Sequence, residues 1–203
     1  MSLKTTITTE QKIIEAAKKV FVEKGFDGAR MQHIADEAGI NKSLLHYYFR
    51  SKEKLFDAIF YDVFRQFMPK VGMIMMSELS LFEKIRAFVG QYMDMLISNP
   101  FLPVFVLNEL SHRPEKILNA FKDTGINPGM LNHLLKTEVQ QGHIVEIEAT
   151  HLMVNIIGMC VFTMVGRPII QGFIFQGDVQ KYKQFLSERK EQIADFVINS
   201  IKK

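Results

Sequence analysis

The sequence predicts an all-α chain, a small three-helix N-terminal domain followed by a larger helical one. Three observations carry that expectation. Apolar residues recur at helical spacing through most of the 203 residues. Two capping boxes, Thr8-Thr9-Glu10-Gln11 and Ser80-Leu81-Phe82-Glu83, mark helix starts. No alternating run of β-branched residues is closed by a hairpin turn dipeptide.

The first helix follows the Thr8 box, with Ile13, Ile14, Ala17, Val20 and Phe21 on one face and Gly25 as its stop. A second helix is expected over 31–38, with Ile34 and Ala35 inward. Gly39 supplies a turn with positive φ, and Asn41 caps a short third helix. A fourth begins at Ser51, carries Leu55, Phe56, Ile59, Phe60, Val63 and Phe67, and is expected to stop near Pro69. The Ser80 box opens a helix that ends before Pro100, and 101–111 forms another. Pro114 and Pro128 each fit a helical first turn, the second of these helices ending at Gly142. Two long helices finish the chain, over 147–166, prolonged or kinked past Pro168, and over 179–201.

The bulk numbers narrow the class. Hydrophobic residues make up 47% and charged residues 23%, a globular balance that excludes disorder as the main state. Cys160, the single cysteine, has no partner for a disulfide, and the opening residues lack an apolar export segment. Both point to a reducing, cytoplasmic setting. The most apolar run, 152–166, is too short to span a bilayer and holds Asn155, so no membrane partner is expected. The net charge of +3 is concentrated. Residues 1–54 hold ten Lys plus Arg against seven Asp plus Glu, and the remainder is balanced. The domain boundary is therefore placed at 54/55, and an anionic partner is expected at the N-terminal end.

The stretch GINKSLLHYYFRSKEKL, residues 39–55, gives that partner a chemistry. Two short helices joined at Gly39, with a third packed behind, follow the helix-turn-helix plan. Ala35 is small enough for the helices to cross closely, while Ile40 and Leu45 pin the third helix to the core. Lys42, Ser43, Leu44, His46, Tyr47 and Tyr48 are left facing outward. They can reach phosphates by charge and hydroxyl, and base edges by hydrogen bond or apolar contact. Lys52, at the start of the fourth helix, adds an ammonium to free amides that favour a phosphate.

Residues 9–55 resemble the DNA-binding domain of the TetR family of transcriptional regulators. The resemblance rests on Phe21-x-x-x-Gly25, the segment IADEAGI at 34–40, the helix closing in Tyr47-Tyr48-Phe49, and Ser51-Lys52-Glu53 before Leu55. Position by position it implies DNA contacts at Arg30, Gln32, Lys42, Ser43, Leu44, Tyr47, Tyr48 and Lys52. Arg30 stands where the family more often has a small hydroxyl cap, and Leu44 where it has a small or polar residue. The usual Tyr-His order is inverted at His46-Tyr47. The preferred operator therefore does not carry over from a relative. Phe49 and Leu45 are expected in the core, and Tyr48 is divided between core and phosphate.

For 55–203 the resemblance implies a homodimer, with the last two helices of each subunit in a four-helix bundle and the middle helices enclosing a pocket for a small hydrophobic ligand. The residues are compatible. Tyr182, Phe185, Leu186, Ile193, Phe196, Val197 and Ile201 form one stripe, and the helix over 147–166 is apolar nearly all round, so it should be covered on both sides. A two-fold dimer would place two recognition helices roughly 34–36 Å apart on a near-palindromic site in double-stranded DNA. Twelve methionines, most of them after residue 70, join Phe82, Phe88, Tyr92, Phe101, Phe105 and Phe162 as adaptable lining. Polar residues in apolar company, Asn108, Glu109, His112, Asn155 and Arg167, would need partners if buried. The candidate ligand set is Tyr92, Phe105, Asn108, Glu109, His112, Asn155, Met159 and Phe162, with Asn155 foremost.

Catalysis finds little support. The sequence holds no phosphate-loop, dinucleotide-glycine, Gly-x-Ser-x-Gly or His-Glu-x-x-His pattern. Glu109 and His112, at i and i+3, give two metal ligands where three or four are needed. Neither cofactor nor metal is expected. The expectation is a DNA-binding regulator, a repressor released by a small hydrophobic ligand. The alternative is the same fold without a small-molecule effector, its large domain docking another protein through an exposed apolar patch.

Overall fold

A computed structural model describes residues 8–125, 127 and 129–203, and all its regular elements are helical. The helices are α1 (Thr9–Gly28), α2 (Met31–Ala38), α3 (Lys42–Tyr48), α4 (Lys52–Met76), α5 (Leu81–Ser98), α6 (Leu102–His112), α7 (Pro114–Lys122), α8 (Gly129–Gln140), α9 (Ala149–Val165) and α10 (Val179–Ile201). A π-helical segment, Pro168–Ile174, lies between the last two. The chain divides into two compact units, one running to Arg65 and the other from Gln66 to Lys203, so α4 passes through the division.

Local chemistry sets most boundaries. Thr8 Oγ1 accepts from the Gln11 amide at 3.2 Å, and the Gln11 side chain accepts from the Thr8 amide at 3.0 Å. Ser80 and Glu83 close the second box in the same way. Gly25, at φ 68°, interrupts α1 three residues before its end. Pro128, expected to open α8, lies outside the described residues, as do 1–7.

One expectation is corrected. Pro69 does not stop α4, which continues to Met76. Proline has no N–H to offer the Arg65 carbonyl, so the ladder loses one bond at that turn, and the helix continues through half-buried Val71, Ile74 and Met75. The buried side chains Val63, Phe67 and Met68 lie on both sides of the division between the units along the helix. α9 is expected to meet its own subunit on one side and a partner on the other. Leu152, Ile156, Cys160 and Met164 face its own unit, but Val154 at 63% and Phe162 at 62% exposure lie on an open face with Ile157. Within one chain α9 is covered on one side only.

In the first unit, α1, α2 and α4 close over Ile13, Val20, Phe21, Ile34, Leu55, Phe56 and Ile59, all buried. Lys18 Nζ donates to Asp62 at 2.8 Å, tying α1 to α4, and Lys19 donates to Glu37 at 2.6 Å, tying α1 to α2. In the second unit, α5, α9 and α10 share one apolar core holding Val89, Met93, Ile156, Cys160, Leu186 and Ile193. The chain end is anchored beside this core: the Val145 amide donates to the Ile201 carbonyl at 2.8 Å. Among the described residues no single helix is long and apolar enough to cross a membrane. By length and composition alone α9 with the π-helical segment would pass, but that pair is bent by 55°.

Candidate nucleic-acid interface and ligand-binding residues

The N-terminal site is built from α2, a tight turn and α3. Gly39 takes φ 66°, ψ 33°, the left-handed conformation open to glycine, and its amide bonds back to the end of α2. Asn41 then caps α3, its side-chain oxygen accepting from the Leu44 amide at 2.7 Å. A seven-residue helix has few internal bonds, so packing must hold it. Leu45 is fully buried and Phe49 nearly so, against a floor that includes Ile34 and Ala35.

That anchoring points the remaining faces outward. Lys42, Ser43, Leu44 and His46 are exposed, and Tyr47 is the most open at 80%. Tyr48 is exposed as well, its ring edge-on to Tyr47 with centroids 5.6 Å apart, so it is not a core residue. Arg30 sits exposed at the N-cap of α2 and bonds no amide there, since a guanidinium has no acceptor to offer. Gln32, also exposed, donates to Asp36 one turn along the same helix at 2.8 Å.

Lys52 differs from its expected role. Its Nζ donates to the Phe26 carbonyl at 2.6 Å and the Ala29 carbonyl at 3.3 Å, and lies 4.3 Å from the Phe26 ring centroid. Two of three ammonium donors thus satisfy the loose end of α1. The side chain is a brace between α1 and α4.

The ligand candidates do not converge on one site. Tyr92 on α5 and Met159 on α9 pack, half-buried, against the core of the second unit. Phe105, Asn108, Glu109 and His112 all lie on α6, and of these four only Glu109 is buried, at 1% exposure. Its carboxylate accepts from Arg113 at 2.6 Å and Lys116 at 3.2 Å, and Lys116 also lies over the Phe105 ring. Burial pushes the Glu109 carboxyl up, but the two donors outweigh it and hold the group below its ordinary value. Glu109 therefore holds α6 to α7 and is no longer a ligand candidate. His112 is exposed and bonds the Asn108 carbonyl of its own helix at 2.9 Å, which leaves no Glu109–His112 metal pair. Asn108 and Asn155 are exposed, so neither is the buried polar group expected, and Phe162 is on the open face of α9. Arg167 is exposed, bonded to Gln171 and stacked over Tyr182.

Residues 13–59 match the family described as "Bacterial regulatory proteins, tetR family". The match covers the helix-turn-helix just described and the brace behind it. Residues 13–59 are thus similar to the N-terminal segment of the TetR family. Related proteins extend the likeness beyond those residues. The transcriptional repressor NicS of Pseudomonas putida is 26% identical over 170 residues, 82% of this chain and 80% of its own length. The fatty acid metabolism regulator protein of Bacillus subtilis is 26% identical over 66% of this chain and 70% of its own. The regulator RutR of Escherichia coli is 47% identical over a shorter span of 47 residues. Among solved structures, a TetR/AcrR-family regulator from Thermobifida fusca superposes with a TM-score of 0.68 at 22% identity, covering 94% of this chain and 96% of its own. FadR from Bacillus subtilis in complex with stearoyl-CoA gives 0.67 at 21% identity, covering 93% and 97%. At these identities the structures establish the shared fold.

The matched segment and the relatives named as regulators support a DNA-binding transcriptional regulator. Reading the sequence missed one polar residue in the larger unit. Arg189 interrupts the apolar stripe of α10 between Leu186 and Ile193 and is half-buried there. An arginine at a stripe position was the available signal, obscured by the many charged residues of the same helix.

Proposed function

We propose that this regulator is a cytoplasmic, homodimeric repressor that binds a near-palindromic operator and is released by a small apolar ligand held in its larger unit. The outward face of α3 carries the first part of the reading. Lys42, Ser43, Leu44, His46, Tyr47 and Tyr48 stand exposed on a helix whose other side is anchored by Leu45 and Phe49. Lys42 with Arg30 would meet phosphates, and Tyr47 with Leu44 and His46 would meet base edges. Lys52 then acts by position, holding α1 and α4 together behind the reading head, and Gln32 lies at the margin. The open apolar face of α9 supports the dimer, since Val154, Ile157 and Phe162 would otherwise remain in water. Release follows if the ligand prefers a conformation in which the two recognition helices no longer match the groove spacing. The shift cannot exceed the difference in ligand affinity between the two states. The relative named for fatty acid metabolism, and the fold neighbour crystallised with stearoyl-CoA, support an apolar effector.

The test is a footprint of the purified protein on DNA upstream of its own gene at two salt concentrations, beside a Lys42→Ala, Tyr47→Ala double variant. A protected near-palindrome that weakens steeply with salt and vanishes in the variant is the expected result. Weak, sequence-indifferent binding that is unchanged in the variant would refute the assignment of α3.

One observation favours a second reading. Val104, Leu107 and Leu110 on α6 and Leu118 and Phe121 on α7 are exposed, an apolar surface of the kind a docked protein covers. On that reading the larger unit answers a protein partner, and small apolar compounds leave operator binding unchanged.

A further inference from the structure

The outward side of α3 is divided between polar and apolar residues, and its anchored side fixes the division. A helix advances about 100° per residue, so the direction opposite Leu45 and Phe49 is taken by Tyr47, with Ser43 and Leu44 on either side of it. Lys42 and His46 lie together along one flank, and Tyr48 lies along the other, beyond Leu44. Tyr47 and Tyr48 stand three and four residues after Leu44, which makes both its neighbours on the helix surface. Their rings meet edge-on, with centroids 5.6 Å apart and planes at 89°. Leu44 and the two rings thus form an apolar notch, and all three side chains are exposed. The backbone under the notch is fixed, because the Leu44 amide donates to the Asn41 side chain at 2.7 Å.

A phosphate chain rewards charge and hydroxyl donors, which Lys42 and Ser43 carry, and offers nothing to such a notch. The floor of the major groove does. Every base pair presents hydrogen-bonding groups there, but only thymine adds an apolar one, its C5-methyl. Leucine can neither donate nor accept. Set over guanine, adenine or cytosine, Leu44 would strip water from ring nitrogens, carbonyls or amino groups and return no hydrogen bond. Set over thymine, it removes two apolar groups from water at once.

We propose that Leu44 reads one thymine in each half of the operator, its side chain seated on the C5-methyl with the tyrosine rings beside it. This rests on the reading of α3 as the recognition helix and names a base which that helix selects. The preference works by exclusion as well as by attraction, since the other three bases lose hydrogen bonds beneath the leucine.

The full-length protein first selects its site from a pool of random-sequence duplexes. Each thymine of the selected site is then replaced in turn, in both halves, by deoxyuridine, which pairs as thymine does and lacks only the methyl. Binding is titrated at one salt concentration for the unaltered protein, Leu44→Ala and Lys42→Ala. The unaltered protein is expected to show one thymine position per half-site whose replacement weakens binding about 3- to 5-fold, as for one methyl group withdrawn from water. Leu44→Ala should bind the thymine site more weakly and no longer distinguish deoxyuridine there. Lys42→Ala should also bind more weakly but keep the distinction, because a phosphate contact carries no base preference. Deoxyuridine without effect at every position overturns the role of Leu44 and leaves α3 standing as the recognition helix. A thymine that remains as sensitive in Leu44→Ala gives its methyl to another side chain and overturns the role as well. A pool that yields no preferred sequence overturns both the reading of α3 and this inference.

Discussion

Single residues in this chain separate by what their charged ends touch. Lys42 and Lys52 lie ten positions apart, yet one is exposed and the other donates to two backbone carbonyls. Lys42→Ala is expected to weaken operator binding and lower its salt slope by about one while leaving the melting temperature unchanged. Lys52→Met should lower both stability and affinity, costing about 1–3 kcal/mol in a urea midpoint, because the Phe26 and Ala29 carbonyls lose a charged donor. Glu109 is the comparable case in the larger unit. Its folded value lies below the ordinary 4.5, so its stabilisation is present above pH 4.5 and lost as pH falls through the folded value. Glu109→Gln should remove that acid-side slope, and should lower stability at pH 7 by about 1–3 kcal/mol, read from denaturation at several pH values.

At the scale of elements, the turn between α2 and α3 is the weakest link by length and the most dependent on individual residues. Asn41→Ala removes the side-chain cap of a seven-residue helix and is expected to cost about 1 kcal/mol, with operator binding falling further than stability does. Gly39→Ala places a Cβ at φ 66° and should cost about 1–2 kcal/mol by the same denaturation measurement. The third helix was readable in advance because its signals are local: a glycine, an asparagine cap, and Leu45 and Phe49 one turn apart. Pro69 inside α4 was not. A proline removes one bond of the helical ladder, and α4 tolerates that loss and runs on for seven residues.

For the whole molecule, the open face of α9 is the main support for the proposed dimer. Val154→Glu with Phe162→Glu is expected to give a monomer that keeps its helical content but loses the protected operator site, measured by sedimentation and footprinting. Retention of the dimer with both charges in place would move the interface elsewhere, and the exposed apolar residues of the π-helical segment, Ile169, Phe173 and Ile174, would be next to test. This face also shows where a sequence pattern is ambiguous. An all-round apolar helix says that every side needs cover, and leaves open whether its own chain supplies it.

What the sequence determined by itself was therefore whatever local chemistry specifies. Capping boxes, the Gly39 turn, apolar periodicity and the spaced residues of 21–55 led to an all-α chain and a TetR-like reading head, with Tyr47 outward and Phe49 inward. The tertiary structure decided what depends on neighbours distant in the chain. Lys52 became a brace because the end of α1 lies beside it, and Glu109 became a structural anion because α7 brings Lys116 to it. Asn155 proved exposed, while Arg189, unremarkable in a charged helix, became half-buried. The energy of a polar group depends on its burial and its partners, and both are set only when separate helices come together.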